Sequence, residues 1–248
     1  MGELDGRVAL VTGGTRGVGR VCAQALADMG CAVAVVYAHD DKAAEETRRE
    51  LERRGGSAHT VKVDLGDFAA VHESFAEVET RLGDVAVLVN NLGDHHVSMV
   101  ADLDYDEWHR VMDNTIHSTF YCSQRALPNM RQMGWGRIIN IGIAGSHRIQ
   151  AMPMMAAEAA GKVAIASLTK TLALEEAANG ITVNMINLSH APSKGSARVE
   201  DVRAMAETVP MRRTAHPSDV AYAVQFFASP RSEYITGNVL NVTGGLYI

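Results

Sequence analysis

The sequence predicts an α/β fold in which one doubly wound parallel sheet carries helices on both faces. Short apolar runs rich in β-branched residues alternate with longer amphipathic segments, which is the pattern of strands joined by crossover helices. A glycine-rich turn links the first apolar run to the first helical segment. The 248 residues are 47% hydrophobic and contain no linker, repeat or low-complexity tract, so we expect one domain over residues 1–248.

Four strands and three helices are predicted in the first half of the chain. The run RVALV at 7–11 is short, apolar and rich in β-branched residues, as expected for a strand buried on both faces. Similar runs predict strands at 32–37, 59–63 and 85–89, and the segments near them predict helices at 20–29, 41–54 and 68–82. Gly30 and the pair Gly55-Gly56 stop two of these helices, because glycine favours helix ends.

The second half begins with a long predicted helix at 105–133 and a strand at 137–141. A second long helix, built of small residues, carries Glu158 and Lys162 and ends at Asn179-Gly180. A strand at 181–186, a helix at 217–228 and a last strand at 239–242 complete the predicted sheet. The segment 189–214 is polar, and we predict irregular structure there.

Composition and charge exclude several classes of function. The net charge is -6, and no long basic run indicates nucleic acid or a membrane surface as a partner. No apolar run reaches the length of a membrane span, and polar residues fill the first six positions, so we expect no signal peptide. The three scattered cysteines indicate reduced thiols in a cytoplasmic protein. No Cys/His cluster or H-E-x-x-H spacing predicts a metal site.

The turn TGGTRGVG lies between a predicted strand and a predicted helix, the context in which a Rossmann-type domain binds a dinucleotide. Glycine permits the tight turn and a close approach of the backbone to pyrophosphate. Free N–H groups at the helix start favour the anion. We therefore predict cofactor contacts from six residues of the turn: Gly13, Thr15, Arg16, Gly17, Val18 and Gly19.

The end of the second strand indicates which dinucleotide binds. NAD-binding domains usually place an acid there, on the ribose hydroxyls, but this chain has Tyr37-Ala38-His39 and no acid until Asp40. Arg16 lies in the turn, where a cation can meet a 2′-phosphate. These residues favour NADP(H) over NAD(H), with Ala38 and His39 beside the cofactor.

Further motifs resemble the single-domain form of the short-chain dehydrogenase/reductase family over nearly the whole chain. Asp64-Leu65 is similar to the family's adenine-contacting pair, and Asn90-Asn91-Leu92-Gly93 to its Asn-Asn-Ala-Gly. The runs PSDVA and YITG, followed by Gly244-Gly245, match its C-terminal signature. The resemblance implies a nicotinamide cofactor, a small-molecule substrate and a homo-oligomer, either a tetramer or a dimer. It adds five cofactor contacts: Asp64, Leu65, Asn91, Gly93 and Lys162.

The resemblance also implies a catalytic set of Asn, Ser, Tyr and Lys, which this chain keeps only in part. Asn114 falls where the family has its helix asparagine, and Lys162 matches the lysine. The tyrosine position holds Glu158, and the serine position holds Ile143. Ser146, in a loop that is longer than usual, is a candidate substitute for the serine. The family's Pro-Gly after the sixth strand is replaced by Leu188-Ser189.

Glu158 and Lys162 lie four residues apart and therefore share one face of a helix. A neighbouring ammonium favours the charged form of a carboxyl group, so we expect Glu158 to accept a proton and to donate one poorly, although burial acts the other way. Two chemistries fit this site. One is hydride transfer to an activated acceptor, such as an iminium, a quinone or an enone; the other is cyclisation, isomerisation or dehydration with Glu158 as base. A third alternative is a catalytically silent nucleotide-binding subunit.

Four histidines near the inferred pocket are candidates for the missing acid, because imidazole titrates near neutrality. His95 and His96 follow the Asn-Asn-Leu-Gly motif, His147 precedes the catalytic helix, and His190 follows the sixth strand. We prefer His147 and His190 as the pair that joins Asn114, Glu158 and Lys162 in catalysis. In the family, the segment 189–214 is a mobile substrate lid.

Overall fold

The structure, a computed structural model, describes residues 2–189, 191 and 198–247. Seven parallel strands form one sheet in the order β3-β2-β1-β4-β5-β6-β7, with helices on both faces. The predicted fold class is therefore confirmed. The strand order reverses between β1 and β4, and a crevice for ligands opens at such a point beyond the carboxyl ends of the strands.

The strands form from apolar runs that are buried on both faces of the sheet. They span Val8–Thr12 (β1), Ala32–Tyr37 (β2), Ala58–Lys62 (β3), Val85–Asn90 (β4), Gly136–Ile143 (β5), Ile181–Leu188 (β6) and Val239–Val242 (β7). β5 and β6 run two residues further at their carboxyl ends than we predicted. Ile143 and Leu188 are paired in the ladder, so the predicted serine position ends a strand instead of following one.

Eight α-helices cover this sheet in the part of the chain that the structure describes. They span Gly17–Asp28 (α1), Asp41–Arg53 (α2), Phe68–Leu82 (α3), Tyr105–Met112 (α4), Ser118–Met133 (α5), Ala156–Glu176 (α6), Val199–Thr208 (α7) and Pro217–Ala228 (α8). α1, α2 and α8 pack on one face of the sheet, and α3, α5 and α6 pack on the other. In the described ranges no helix is both long enough and apolar enough to cross a bilayer.

We predicted one continuous helix at 105–133. This prediction was wrong, because the helix is interrupted. A π-helical turn, Asp113–His117, separates α4 from α5. Buried Thr115 lies in this turn against Gly161 of α6, where an added Cβ would stand 2.8 Å from Thr115 Cγ2. The apolar period continues through the insertion, so the sequence pattern does not reveal the wider turn. Such turns are frequent at functional sites.

The segment that we predicted to be irregular, 189–214, contains helix α7, and that prediction is corrected. Glu200 and Asp201 occupy the first turn of α7, where the helix dipole favours acids. Half-buried Val202, Met205 and Ala206 form a narrow stripe at helical spacing. The stripe is too short to stand out from the polar residues around it.

Candidate active site

The glycine turn after β1 is shaped for a close approach of backbone to ligand. Gly13 has a φ of +61°, a conformation that favours glycine. A Cβ on Gly19 would clash with the Gly13 carbonyl oxygen, so α1 rests directly on the turn. Arg16 precedes α1 as an N-cap without a side-chain hydrogen bond, which leaves backbone N–H groups available for an anion.

Asn91 braces this turn from the neighbouring strand β4. Its Nδ2 donates to the carbonyl oxygen of Thr12 at 2.9 Å. Thr12 Oγ1 in turn accepts from the backbone N–H groups of Asn91 and Leu92, both at 2.9 Å. The loops after β1 and β4 are thereby fixed against each other. The predicted cofactor residue Asn91 therefore has a structural contact of its own, and its contact with a cofactor stays a prediction.

A cavity of about 800 Å³ opens beyond β1, β2 and β4, at the point where the strand order reverses. The cavity extends from the glycine turn to the loop after β4. Its lining residues are Gly13, Thr15, Arg16, Val36, Tyr37, Ala38, His39, Asp40, Val63, Asp64, Leu65, Leu92, Gly93, Asp94, Arg110 and Asn114. Eight predicted cofactor residues are among them. Gly17, Val18 and Gly19 form the first turn of α1, behind the glycine turn.

Arg16 and Asp40 form an ion pair across the wall of this cavity. The Asp40 carboxylate also caps α2, because Oδ1 accepts from the Ala43 N–H at 2.9 Å. The Arg16 side chain is 68% exposed, so its guanidinium is accessible to a ligand. A 2′-phosphate would have to share Arg16 with Asp40.

Lys162 is buried at the inner end of the site. Its Nζ donates to the Ile141 carbonyl oxygen of β5 at 2.8 Å. Burial lowers the Lys162 pKa to about 8, although the charge of Glu158 acts in the opposite direction. A Cβ on Gly93 would stand 3.0 Å from Nζ, so the β4 loop lies close against this lysine at Gly93.

Glu158 is the third residue of α6, and its carboxylate contacts a histidine. Its Oε2 lies 2.7 Å from Nδ1 of His95, and the structure shows no ion pair between Glu158 and Lys162 among the described residues. The sequence predicted that Glu158 and Lys162 can touch. They do interact through charge, but the ammonium extends to the sheet and the carboxylate turns to the β4 loop.

Asn114 lines the cavity from the π-helical turn. Its Nδ2 donates to Asp94 Oδ2 at 3.2 Å, and Asp94 also forms an ion pair with Arg110. These three side chains join the β4 loop to the junction of α4 and α5. Asn114 thus lines the cavity, and its catalytic role stays a prediction.

His147 and Ser146 lie in a different polar cluster, at the ends of β6 and β7. Ser146 is buried and donates to Asn187 Oδ1 at 2.9 Å, and the ring nitrogens of His147 face the amides of Asn187 and Asn241 at 3.3 and 3.4 Å. Burial, together with Arg148 and Lys170, lowers the His147 pKa, so a smaller fraction of its imidazole carries the second proton at neutral pH. His190 lies outside the described residues, so the roles of His147 and His190 stay predictions.

In the described ranges neither Glu158 nor Lys162 is hydrogen-bonded to a tyrosine, and Tyr37 donates its hydroxyl to Asp41 at 3.0 Å. Among the same residues, no group of three His, Cys, Asp or Glu side chains is placed to hold a metal ion.

The chain is similar to known proteins in sequence and in structure. A family model described as enoyl-(acyl carrier protein) reductase matches residues 13–247. Nodulation protein G of Azospirillum brasilense is 35% identical over 98% of this chain and 99% of its own length. A 3-oxoacyl-acyl-carrier-protein reductase of Staphylococcus epidermidis is 35% identical over 97% of this chain and 98% of its own length. A crystal structure from Sinorhizobium meliloti 1021, described as a short-chain alcohol dehydrogenase, has a TM-score of 0.91 at 32% identity and matches over 98% of this chain and 97% of its own.

Proposed function

Because the chain belongs to the short-chain dehydrogenase/reductase family, we propose that it is an NADP(H)-dependent reductase of activated acceptors on an atypical catalytic site. One observation carries the proposal. The cavity extends from the glycine turn of β1 to Gly93 and Asn114, and Gly93 lies against the buried amine of Lys162. A dinucleotide in this cavity would therefore have its pyrophosphate at the anion-binding helix start and its nicotinamide end beside Lys162.

The residues present fit a nicotinamide dinucleotide. The N–H groups at the start of α1 would hold the pyrophosphate, Asp64 and Leu65 would contact the adenine, and Lys162 would bind the nicotinamide ribose. When bound, the nicotinamide supplies a hydride. The chain's own part is to orient the acceptor, exclude water and handle one proton.

NADP(H) is the proposed form because Arg16 is the exposed cation at the adenosine end of the cavity. A guanidinium binds a phosphate group through charge-assisted hydrogen bonds. Asp40 already neutralises part of the Arg16 charge, so the preference over NAD(H) will be moderate. It will rise if Asp40 is neutralised.

The acceptor is proposed to be one that does not need a phenol as its proton donor. Reduction of a simple ketone forms a strongly basic alkoxide, which a low-pKa phenol can protonate. This site has Glu158 at the corresponding position of α6, held by His95. A charged iminium needs no proton, and a quinone or an enone forms a less basic oxyanion. These acceptor classes therefore suit the site better than simple ketones.

An apolar rim beside Glu158 supports an acceptor with an apolar body. Ser98 of the β4 loop is bridged to Met155, and its N–H donates to the Met154 carbonyl oxygen at 2.9 Å. Exposed Val97, Met99 and Met154 flank this bridge. Apolar side chains exposed together next to a polar site are typical of ligand-binding surfaces.

A second candidate function is a non-redox isomerase, cyclase or dehydratase on the same scaffold. It is favoured by one feature, the carboxylate–imidazole pair of Glu158 and His95, which is suited to removing a proton from carbon. In that case the nucleotide would serve only as scaffold. Both candidates share the cofactor cavity, and cofactor turnover separates them.

The assembly is proposed to be a homo-oligomer in the cytoplasm. α8 exposes Tyr222 and Phe226, which lie four residues apart on one helix face, and the neighbouring edge strand β7 exposes Leu240. Edge strands with apolar surface are usually covered. A second copy of this chain would cover both elements.

The proposal is tested by following NADPH absorbance with four probes: phenanthrenequinone, an N-methyl-dihydroisoquinolinium salt, a 3-oxoacyl thioester and a simple aliphatic ketone. We expect turnover with the quinone and the iminium salt, and the slowest turnover with the ketone. Lys162→Met, checked for folding by circular dichroism, should lose most of the activity. Product formation without loss of NADPH would support the non-redox candidate, and failure of the protein to bind NADPH would overturn both.

A further inference from the structure

The contact between His95 and Glu158 joins an exposed imidazole to a buried carboxylate. Nδ1 and Oε2 are 2.7 Å apart, and the two side chains are 65% and 11% exposed. In the part of the chain that the structure describes, Nε2 of His95 has no hydrogen-bond partner. Nδ1 of His95 is therefore held by Glu158, and Nε2 is open to a ligand or to water.

The β4 loop is anchored on both sides of His95, so the imidazole position is set by the fold. Asp94 is bonded to Asn114 and forms an ion pair with Arg110, and His96 Nδ1 lies 3.1 Å from Glu107 of α4. Three residues beyond His95, the Ser98 N–H is bonded to the chain just before α6. In these contacts Asp94 and His96 pair with α4 and the π-helical turn. Of the three consecutive polar side chains at 94–96, only that of His95 contacts α6.

The pair lies beside the end of the cavity assigned to the nicotinamide. Gly93 and Asp94, which precede His95, line that cavity, and Gly93 lies against Lys162 Nζ. Glu158 is one helical turn before Lys162 on the same face of α6. The charged groups that surround His95 are Glu158 and Lys162 from α6 and the ion pairs Asp94–Arg110 and His96–Glu107 from α4 and the β4 loop.

A buried carboxylate bonded to one imidazole nitrogen has two chemical effects. It holds the proton on Nδ1, so that the other nitrogen points outward in a defined state, and it stabilises the imidazolium when that nitrogen is protonated. Because His95 is exposed, solvent can return a proton after each turnover. The carboxylate itself is too buried to exchange protons with solvent as readily.

We propose that His95 is a catalytic residue that donates the proton in the reduction, and that Glu158 is a positioning residue that holds it. This inference rests on the proposed reductase function. Bound NADPH would supply a hydride through cleavage of its nicotinamide C4–H bond, a new C–H bond would form at the acceptor carbon, and the electron pair of the carbonyl π bond would move to oxygen. The Nε2–H bond of the imidazolium then breaks and its proton goes to that oxygen. The balance is one carbonyl group, one NADPH and one proton consumed, with one hydroxyl group and one NADP⁺ formed.

By the family resemblance, Glu158 occupies the α6 position of the proton donor. In this proposal Glu158 instead holds a proton donor, His95, that comes from the β4 loop. This explains how the site can lack a phenol and still supply a proton. It also predicts that the requirement for His95 depends on the acceptor. A charged iminium takes up a hydride alone, whereas a quinone needs a hydride and a proton.

The kinetic test compares His95→Asn with His59→Asn, a matched control whose Nε2 lies 2.7 Å from Glu77 of α3. With phenanthrenequinone, His95→Asn should lower kcat by about 100-fold or more and should remove the acidic group from the pH profile. With the N-methyl-dihydroisoquinolinium salt it should change kcat by less than about threefold, on the same scale of effects. His59→Asn should leave both reactions close to wild type, because His59 is not among the residues that line the cavity.

A second readout needs no cofactor and no turnover. The NMR shifts of the His95 ring nitrogens in the free protein report which nitrogen carries the proton. We expect the proton on Nδ1 in wild type and mainly on Nε2 in Glu158→Met, which removes the carboxylate at similar side-chain length. Glu77→Met is the control and should change the His59 ring only.

These outcomes distinguish a failure of the proposed roles of His95 and Glu158 from a failure of the reductase function on which those roles rest. Equal loss of quinone and iminium reduction in His95→Asn, or no loss of either, overturns the proton-donor role. A His95 ring that is unchanged in Glu158→Met overturns the positioning role of Glu158. If the wild-type protein oxidises NADPH with no probe, the proposed reductase function and the donor role both fail, while the ring-nitrogen measurement still decides whether the pair exists.

Discussion

Position 158 carries a buried carboxylate whose partner the sequence pattern did not identify. A carboxylate that is 9% exposed requires a partner, because an uncompensated buried charge is costly. The spacing of Glu158 and Lys162 suggested that they were partners, but helix spacing fixes only the directions of their Cβ atoms. Lys162 is long enough to reach Ile141 on the sheet, and Glu158 meets His95 instead. Sequence reasoning included His95 among four candidates and could not rank it first.

Lys162 gives a residue-scale prediction of stability against pH. Burial holds its pKa near 8 in the folded protein, below the ordinary value of 10.5. Between these two values the unfolded chain binds a proton that the folded chain does not, so stability should rise with pH across this window. Relative to Lys162→Met, wild type should gain about 3 kcal/mol in the free energy of unfolding.

Urea unfolding of both proteins from pH 7 to pH 11 measures this difference, and the comparison cancels the titration of all other groups. Parallel curves for wild type and Lys162→Met would show that the lysine is not held in a buried, uncharged state at high pH.

Arg16 and Asp40 give a second prediction at the same scale. Arg16→Gln should weaken NADPH binding by about 10- to 100-fold, the usual effect of one hydrogen bond to a charged group, and should leave NADH binding nearly unchanged. Asp40→Asn keeps the oxygen that caps α2 but removes the negative charge that partly neutralises Arg16, so it should strengthen NADPH binding. Fluorescence titration with both cofactors measures these effects. An Arg16→Gln variant with equal losses for the two cofactors would contradict the assignment of NADP(H).

At the scale of elements, the π-helical turn matters because it carries Asn114 into the cofactor cavity. The turn is held by the contact of Thr115 with Gly161, where α6 crosses it. Gly161 is an interior helix residue, and replacing glycine by alanine in a helix normally stabilises it by about 1 kcal/mol. Here the added methyl group would stand 2.8 Å from Thr115 Cγ2 and must displace it.

Gly161→Ala should therefore lower the melting temperature and weaken cofactor binding, against the usual helix preference. The double variant Thr115→Ser with Gly161→Ala removes the obstructing methyl group and should recover both, with Thr115→Ser alone as the control. Differential scanning calorimetry measures the effect. A stabilised single variant Gly161→Ala would mean that α6 does not pack on the turn as described.

The elements differ in how far the sequence predicts them. Strands such as β2 and β7 and helices such as α3 and α8 have the predicted bounds, because apolar runs or caps mark both of their ends. β5 and β6 extend beyond their apolar runs because each pairs with the other to its last residue. The polar segment hid α7, and the unbroken apolar period hid the π-helical turn.

At the scale of the whole molecule, the site exists because distant loops meet at one edge of the sheet. β4 lies between β1 and β5, which brings the loop at 91–99 beside both the glycine turn and the start of α6. The alternation of strands and helices predicts the parallel sheet, and so the shared edge. It does not predict which side chains of the loop turn to α6, because that depends on the anchors of Asp94, His96 and Ser98.

The proposed assembly gives a prediction at this scale. Phe226→Glu places a charge on the exposed apolar surface of α8 and should reduce the molar mass in solution by at least half. Phe226→Leu keeps the face apolar and should leave the assembly intact. Size-exclusion chromatography with light scattering measures both. A wild-type protein that runs as a monomer would exclude this interface.

The central claim is that this chain transfers a hydride from NADPH without a tyrosine at the α6 position. It is tested most directly by incubating the protein with NADPH deuterated at C4 of the nicotinamide and with phenanthrenequinone, and by analysing the product by mass spectrometry. We predict one deuterium on the reduced carbon, seen in the trapped α-hydroxyketone before it enolises, and the same transfer to the iminium probe. Reduced or rearranged product that carries no deuterium, formed while the labelled cofactor remains unchanged, would contradict the account.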